Sequence, residues 1–365
     1  MNILMIGGTG FIGFQLILRL LNVSGHNLYL LARSPEKAHH LLSRLEAHHR
    51  QRIHILHGDI TQPGLGLSPI QAAELQGRIG VVIHMAACLR FEERARAQLF
   101  ATNVEGTRHV LDFASGIRAG QLHYISTAYT VGTREHGVEE LYPLDGRFNN
   151  PYEESKVAAE QLVFSYRSRM SVCIYRPSIV IGDSRTGEAD SSFSFYGLLL
   201  TLEAFRNRAA RTGDDGSQSY RIAASPNEKL NVVPVDYVCD VIESGLRCGT
   251  NGTIYHITHP SPPAIGSMLE LAFSHVGFPN PEYVSPEQIP EWTKEERQLA
   301  KLTAVFSPYL TQKTCFDDGN TLHLLRQNGL KPLQLDFRAV ESIIGRYSGL
   351  RKAASPDPSE MLIQH

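Results

Sequence analysis

The sequence has few cysteines, little excess charge and no long apolar run. Five cysteines are spread over 365 residues without a C-x-x-C pair, so neither a disulfide framework nor a thiolate zinc site is indicated. Thirty-five basic and 37 acidic residues give a net charge of −2, which excludes the electrostatic footprint of a nucleic-acid-binding protein. There is no apolar stretch long enough to span a bilayer and no cleavable leader pattern, so we predict a cytoplasmic protein without a transmembrane segment.

The residues that are present are typical of a globular chain. Hydrophobic residues make up 42% and charged residues 20%, which excludes collagen, coiled coil and wholesale disorder. The length allows two modest domains or one large one. Sixteen histidines include a group at 39–49, but this group lacks a carboxylate pattern, so we predict no metal site.

A glycine-rich loop follows the first predicted strand and precedes a helical segment. Gly7 would allow a tight turn, Gly10 a close approach of the backbone to a pyrophosphate, and Gly13 close packing of helix on strand. An anion at this place is stabilised by unpaired N–H groups and by the positive end of the helix dipole. The loop therefore predicts a dinucleotide-binding site, with contacts from Gly7, Thr9, Gly10, Phe11, Ile12 and Gly13.

The first half of the chain alternates short apolar runs with helical periodicity, which is typical of βαβ units around a parallel sheet. Strands are predicted at 2–6, 27–32, 53–57, 80–86, 121–126 and 171–176. Together with the glycine loop, this pattern predicts an α/β fold. The predicted architecture is a Rossmann-type doubly wound parallel sheet with a smaller C-terminal substrate-binding lobe.

The alternation stops near residue 183, and a further strand near 231–235 is followed by a helix. We therefore assign 1–183 and about 231–260 to the nucleotide-binding domain. The smaller lobe is assigned to 184–230 and 261–350. Residues 351–365 carry proline and polar residues without periodicity and are predicted to form a loose tail.

The second predicted strand ends at Arg33, where a carboxylate would normally bind the ribose 2′-hydroxyl of NAD. A guanidinium suits a 2′-phosphate instead, which predicts NADPH rather than NADH. Arg44 is available to assist, although a solvated charge is an equally simple interpretation. Asp59 and Ile60 follow the third strand and are expected to flank the adenine. A capping role explains Asp59 equally well.

A tyrosine and a lysine one helical turn apart follow a strand that ends in two hydroxyl residues. Tyr152 and Lys156 share one face of a helix predicted to begin at Pro151, and Ser126 and Thr127 end the upstream strand. Lys156 is expected to favour the phenolate form of Tyr152. Thr127 is expected to hold a substrate oxygen, with capping of the backbone as the alternative. This set can polarise a carbonyl and protonate its oxygen while NADPH supplies hydride.

In order and spacing, these residues resemble the extended short-chain dehydrogenase/reductase superfamily over about residues 1–260. Further matching stretches are 84–87, Asn103 and 176–178. The resemblance implies that the catalytic residues are Thr127, Tyr152 and Lys156. It also implies that Asn103 supports the active site and that the cofactor is contacted by Ala86, Ala87, Asn103, Tyr152 and Lys156.

Within the superfamily, the sequence is most similar to fatty acyl-CoA reductases and thioester reductase domains, through 89–92, 103–107, 176–184 and 230–237. This resemblance implies reduction of an acyl thioester, on CoA or a carrier protein, to an aldehyde, with onward reduction to alcohol left open. The extra domains of those relatives are not found, so a separate acyl donor is expected. A monomer or a homodimer fits equally well.

Other functions remain open. A sugar-nucleotide epimerase or dehydratase, or a hydroxysteroid-type dehydrogenase, shares the glycine loop and the Tyr-Lys pair. A nucleotide-sensing regulator uses the same fold without chemistry, but such proteins commonly lack the tyrosine.

The apolar segment 193–202 fits an acyl-pocket wall, plain core or a dimer helix. The arginines at 206, 208 and 211 fit either a phosphate site for CoA or phosphopantetheine or a solvated helix face.

Overall fold

A computed structural model describes residues 1–23, 25–189, 194–211, 217–285 and 291–354. In chain order, the strands are β1 Asn2–Ile6, β2 Asn27–Ala32, β3 Ile53–His57, β4 Val81–His84, β5 Gln121–Ile125, β6 His136–Gly137, β7 Ser171–Pro177, β8 Ile179–Ile181, β9 Arg221–Ala223, β10 Val232–Pro234, β11 Thr253–Ile257, β12 Glu282–Val284 and β13 Cys315–Phe316.

The helices, also in chain order, are α1 Phe11–Asn22, α2 Pro35–Ser43, α3 Ala47–Arg50, α4 Pro69–Leu75, α5 Arg96–Phe100, α6 Gly106–Gly116, α7 Pro151–Ser165, α8 Ser194–Arg211, α9 Val235–Cys248, α10 Ile265–Val276, α11 Lys294–Thr303, α12 Ser307–Thr311, α13 Gly319–Gln327 and α14 Phe337–Ala354. Short 3₁₀ turns lie at Pro63–Gly66, Glu93–Ala95, Ala128–Val131 and Ala304–Phe306, and a π-helical turn lies at Ala101–Glu105.

Seven parallel strands form the main sheet, in the order β3-β2-β1-β4-β5-β7-β11. Its strands are nearly continuous apolar runs, with Leu4, Val82 and Leu122 fully buried, as expected for a parallel sheet covered on both faces. The strand order reverses between β1 and β4, so the loops that follow these strands meet at the carboxyl edge. The predicted Rossmann-type doubly wound fold is confirmed, and this reversal point is where such folds bind ligands.

Two strand predictions need correction. The fourth strand ends at His84 because the amides of Met85 and Ala86 both donate to the Ile6 carbonyl instead of continuing the ladder with β5. A further strand, β11, pairs with β7 and is not among the predicted strands. Its fourth residue, His256, interrupts the apolar pattern, yet it is fully buried because it has a hydrogen-bond partner inside the protein, the Arg176 guanidinium.

The chain divides into two compact units. The first unit comprises Met1–Ser178, Tyr237–Thr258 and Phe316–Pro332. The second comprises Ile179–Asp236, His259–Cys315 and the described residues from Leu333 onward.

The predicted domain boundaries differ from the two units. The structure assigns 179–183, 231–236 and 259–260, predicted for the nucleotide-binding domain, to the second unit. It assigns 316–332, predicted for the smaller lobe, to the first unit. Hydrogen bonds to β11 explain the assignment of 316–332. The side chain of Asn320 donates to the Ile254 carbonyl, and the Thr321 hydroxyl donates to the carbonyl of His256.

The second unit has an aromatic core built largely by α8 and α10. Its buried rings include Tyr196, Phe205, Tyr220, Phe273 and Phe278. In the segment 193–202, this core includes Phe195, Tyr196, Leu198, Leu199 and Leu202, so the plain-core interpretation holds for them. Leu200 is half-buried, and Phe193 lies outside the described residues.

Arg206 also has a structural role, since its guanidinium donates to the carbonyl of Val276 at the end of α10.

At the C-terminal end, α14 continues to Ala354, so the first residues of the predicted loose tail are helical, and 355–365 lie outside the described residues. Within the described ranges, no helix has both the length and the apolar character needed to cross a bilayer. The same ranges contain no group of three or more His, Cys, Asp or Glu side chains arranged to hold a metal ion.

Candidate active site

The glycine loop after β1 is fixed by close backbone packing. Gly7 has a φ of 92°, and a Cβ there would lie 2.5 Å from the amide nitrogen of Ala86. A Cβ on Gly13 would lie 2.5 Å from the Gly7 carbonyl oxygen. At Gly10 the nearest atom to an added Cβ is the same oxygen, at an ordinary 3.5 Å. Packing therefore requires Gly7 and Gly13, whereas Gly10 borders open space in front of the loop.

That open space lies at the N-terminus of α1. The helix begins at Phe11, its N-cap Gly10 offers no side-chain cap, and its first turn contains no acidic residue. The unpaired N–H groups of the first turn therefore remain available to an anion. Thr9 is exposed beside them, and Phe11 and Ile12 are half-buried. These features fit the pyrophosphate of a dinucleotide.

The ends of β2 and β3 bring Arg33 and Asp59 near each other, with Arg33 Nη1 4.0 Å from Asp59 Oδ2. The Arg33 side chain is 79% exposed and is therefore accessible to a ligand. Asp59 Oδ1 accepts hydrogen bonds of 2.9 Å from the amide and hydroxyl of Thr61, so the anticipated turn-capping role is present.

Ile60 is buried in the core beside Gly106, and a contact with adenine stays a prediction. Arg44 stacks on the Phe14 ring.

The loop after β4 is tied to α7 by Asn103. Its amide oxygen accepts from the Cys88 amide at 2.7 Å, and its amide nitrogen donates to the Cys88 carbonyl at 3.0 Å and to Ser155 Oγ at 2.9 Å. Asn103 is 1% exposed, so these bonds form in a dry environment. Ala86, beside Gly7, is half-buried, and Ala87 is exposed. Asn103 thus joins this loop to α7, while its support of the active site and the cofactor contacts of Asn103 and the alanine pair stay predictions.

Helix α7 begins as the sequence predicts, with Pro151 in its first turn. The side chain of Asn150 caps the helix by accepting a hydrogen bond of 3.0 Å from the Glu153 amide. This start places Tyr152 in the first turn and Lys156 one turn later on the same face.

Lys156 is fully buried next to the end of β5. Its ammonium donates to the Ile125 carbonyl at 2.7 Å and lies 4.3 Å from the centre of the Tyr124 ring. Burial lowers the pKa of Lys156 to about 7, although the nearby Glu160 carboxylate acts in the opposite direction. A small change in the surroundings therefore changes the charge of this lysine near neutral pH.

Tyr152 is half-buried, with its ring edge-on to Phe91 at a centroid distance of 5.9 Å. Burial raises the pKa of its phenol, and the Glu153 carboxylate and the Cys88 sulfur raise it further. The sequence predicts that Lys156 lowers this pKa, whereas in the structure burial and these two neighbours raise it. The phenol therefore keeps its proton at neutral pH.

Thr127 lies two residues after the end of β5 and caps the 3₁₀ turn Ala128–Val131. Its Oγ1 accepts a hydrogen bond of 3.3 Å from the Tyr129 amide, which is the capping alternative considered from the sequence. A hydroxyl that accepts in this way still has its own proton to donate. Because Lys156 contacts Ile125, two residues before Thr127, the end of β5 and the start of α7 bring the predicted set Thr127, Tyr152 and Lys156 to one region.

A comparison with known families identifies the chain. The NAD-binding family described as male sterility protein matches residues 5–242. The chain belongs to this family. It is therefore a member of the extended short-chain dehydrogenase/reductase superfamily of oxidoreductases, and it contains an NAD-binding domain.

The chain is similar in sequence to two curated proteins and in structure to one solved domain. Fatty acyl-CoA reductase wat of Drosophila melanogaster is 27% identical over 282 residues, which cover 64% of this chain and 52% of the relative. A linear gramicidin synthase chain of Brevibacillus parabrevis is 31% identical over 375 residues, covering 94% of this chain and 7% of the synthase chain. The crystal structure of the terminal R domain from the myxalamid PKS-NRPS pathway has a TM-score of 0.76 and 26% identity, covering 97% of this chain and 91% of that one.

A buried ion pair next to Lys156 is not among the features predicted from the sequence. Arg176 donates to both carboxylate oxygens of Glu160, at 2.9 and 2.7 Å, and both side chains are fully buried. Arg176 also bonds to the Val138 carbonyl and to His256. The position of Glu160, one helical turn after Lys156, was a signal in the sequence that could have indicated it.

Proposed function

We propose that the chain is an NADPH-dependent reductase of acyl thioesters, carried on CoA or on a carrier protein, with an aldehyde as product. The observation that carries this proposal is the placement of Tyr152 one helical turn before the buried Lys156, which donates a hydrogen bond to the end of β5. Similarity to a fatty acyl-CoA reductase and to a terminal R domain supports the thioester as the substrate class. Further reduction of the aldehyde to an alcohol uses the same groups.

The choice of NADPH rests on Arg33. This exposed guanidinium lies at the carboxyl end of β2, 4.0 Å from Asp59, where a ribose 2′-phosphate would meet it. A planar guanidinium can make two parallel charge-assisted hydrogen bonds to a phosphate. The open space at Gly10 and the uncapped start of α1 provide for the pyrophosphate.

In this proposal each residue of the set has a separate task. Bound NADPH supplies hydride to the carbonyl carbon. Thr127 donates a hydrogen bond to the substrate oxygen, and Tyr152 stabilises the charge that develops there and then donates its proton. Lys156 holds the site through Ile125 and adds positive charge when it is protonated. The C–S bond then breaks: the substrate oxygen returns its proton to the Tyr152 phenolate as the C=O bond re-forms, and the products are an aldehyde and a thiolate.

The acyl group is proposed to be presented either as an acyl-CoA or on a carrier protein. Both relatives by sequence are longer than the matched region, which spans 52% of the fly reductase and 7% of the gramicidin synthase chain. The predictions of a cytoplasmic location and of a monomer or homodimer remain part of this proposal.

The test measures NADPH oxidation with a panel of acyl-CoA and acyl-carrier substrates and identifies the products by mass. Tyr152→Phe removes the proton donor and is expected to lower kcat by about 10²-fold or more. Tyr166→Phe is the matched control, since it changes a tyrosine at the C-cap of the same helix whose hydroxyl bonds to Asp112. Equal rates for wild type and Tyr152→Phe would defeat the assignment. Tightly bound NAD with no net NADPH consumption would favour the epimerase alternative.

A further inference from the structure

Two fully buried charges lie beside Lys156, and the proposed reaction assigns no task to them. Glu160 follows Lys156 by one turn of α7, so the two side chains project from the same face of the helix. Arg176, on β7, donates to both carboxylate oxygens of Glu160, at 2.9 and 2.7 Å. All three residues are at most 1% exposed. Charges in a dry interior are weakly screened, so each of these groups influences the charge of the others.

The Glu160 carboxylate is held in a fixed place by Arg176. The five N–H groups of this guanidinium all have acceptors: two bond to Glu160, two to the carbonyls of Val138 and Glu140 at 2.9 and 2.8 Å, and one to His256 at 3.2 Å. The His256 imidazole can accept because it is neutral, since burial lowers its pKa to about 3. The guanidinium cannot reorient without losing hydrogen bonds, so the carboxylate that it binds stays in place.

The titratable rings around Lys156 carry no charge at neutral pH. On β4, burial, together with the charge of Lys156, lowers the pKa of His84 to about 3. On β5, the Tyr124 ring lies 4.3 Å from the ammonium, and burial raises the pKa of its phenol well above the usual range. The Tyr152 phenol, one turn before Lys156 on α7, also keeps its proton because burial raises its pKa. None of these groups therefore supplies a counter-charge to the lysine.

One more carboxylate is buried on α7, but it bonds to the loop before the helix. Glu153 Oε2 accepts from the Asn149 amide at 2.8 Å, and Oε1 accepts from the Asn149 side chain at 3.3 Å. Next to burial, Glu153 raises the pKa of the Tyr152 phenol, whereas Glu160 is the group that favours the ammonium form of Lys156 against the effect of burial. Glu160 is therefore the counter-charge of Lys156.

We propose that Glu160 and Arg176 are positioning residues that jointly set the charge of Lys156 during the reduction. The carboxylate favours the ammonium, and the guanidinium limits this effect, so the balance between them defines the pH range in which Lys156 is charged. The inference rests on the proposed function, because a charged Lys156 stabilises the Tyr152 phenolate that forms when the proton is donated. The working pH of the enzyme is then set by two residues that are closed to solvent.

The test follows the charge of Lys156 by NMR. The chain has eight lysines, so isotope labelling of the lysine side chains gives a simple spectrum, and Lys156→Met identifies the Lys156 signal. The midpoint of its titration is measured on the full chain without coenzyme and should lie near pH 7 in the wild type. The pH profile of kcat is measured separately with NADPH and an acyl-CoA.

Glu160→Gln leaves Arg176 unopposed, so the Lys156 midpoint should fall by about one pH unit or more, and the alkaline limb of the kcat profile should move with it. Glu160→Gln/Arg176→Gln removes both charges and should produce a smaller fall, although it alters more of the interior. Glu243→Gln is the matched control, because this buried carboxylate of α9 pairs with Arg19 and Arg247 in the same unit. It should leave the midpoint and the profile unchanged.

Damage to the fold accumulates with each substitution, whereas opposite charges cancel, so the order of the two shifts decides. An unchanged midpoint in Glu160→Gln, or a fall in the double variant at least as large as in the single one, would overturn the inference. If Glu160→Gln does not fold, the double variant decides alone: a fall of less than about one pH unit supports the inference, and no fall or a larger one contradicts it. A wild type that reduces no acyl thioester defeats the proposed function instead, and the NMR titration still tests the ion pair.

Discussion

The two units differ in how deeply they bury charged side chains. The first unit buries Lys156, Glu160 and Arg176 together beside the candidate active site, all at 1% exposure or less. The second unit is built around aromatic rings such as Phe273 and Tyr196. Buried charge costs solvation free energy, and perturbed pKa values cluster where chemistry uses them. The comparison indicates that buried charge near the candidate active site lowers the stability of the first unit, whereas the second unit is stabilised by apolar packing.

Among variants that test this comparison, we expect the largest change in the free energy of unfolding for Lys156→Met. In the unfolded chain, the Lys156 ammonium keeps its proton up to the usual lysine pKa of 10.5. In the folded chain, burial lowers this pKa to about 7. The unfolded state therefore binds more protons between these values, and the contribution of Lys156 to stability rises with pH across this window. Lys156→Met should be more stable than wild type below about pH 7, by up to about 5 kcal/mol, and the difference should shrink as pH rises.

Urea unfolding of the coenzyme-free protein at about pH 6 and about pH 9 measures this difference. A gap between Lys156→Met and wild type that is the same at both pH values would show that the buried charge is not the source of the cost.

In the second unit, Phe273→Ala is expected to lower the free energy of unfolding by about 3–5 kcal/mol, because it leaves a cavity in a fully buried ring cluster. No titrating group is removed, so the loss should be equal at both pH values. NADPH affinity, measured by fluorescence titration of the folded variant, should stay unchanged. A pH-dependent loss, or a large fall in NADPH affinity, would break the proposed division of roles.

Two glycines of the same loop provide a smaller and more local contrast. Gly13→Ala places a Cβ 2.5 Å from the Gly7 carbonyl and should cost about 1–3 kcal/mol of stability through overpacking. Gly10→Ala meets that oxygen only at 3.5 Å and should fold normally while weakening NADPH binding. Thermal unfolding and NADPH titration of both variants separate the two roles. If Gly10→Ala bound NADPH as tightly as wild type, the loop would not hold the pyrophosphate as proposed.

The smallest expected effect is at the exposed end of β2. Arg33→Asp should weaken NADPH binding by about tenfold, or ~1.4 kcal/mol, and shift the preference toward NADH. Arg326→Asp, at an exposed arginine of α13, makes the same charge change elsewhere in the first unit and should leave both affinities unchanged. Unchanged selectivity in Arg33→Asp would refute the proposed role of this guanidinium.

Much of the first unit could be predicted from the sequence because its signals are local. Apolar runs predicted β1, β2 and β3 with the bounds that the structure shows. Proline at a helix start predicted the position of Tyr152 and Lys156 on α7. Such features depend on neighbouring residues and on the fixed geometry of helices and strands.

The remaining features depend on contacts between distant parts of the chain. The pairing of Arg176 with Glu160, the hydrogen bonds of Asn103 and the assignment of 316–332 to the first unit all join segments that lie apart in the sequence. The pKa of Tyr152 was expected to fall because its neighbour Lys156 was visible in the sequence, whereas the burial that raises it was not. Desolvation is a property of the folded surroundings and has no local sequence pattern.

The close contact between Gly7 and the backbone of Ala86 restricts how this protein can be recombined with its relatives. The two segments are far apart in the chain, but their backbones pack so closely that a Cβ on Gly7 would clash with Ala86. Gly7 and Gly13 pack equally closely within the loop. A chimera that took only one of the segments from another family member would combine surfaces that were not selected together. Crossover points for such chimeras should therefore keep the turn after β1 and the end of β4 from the same parent.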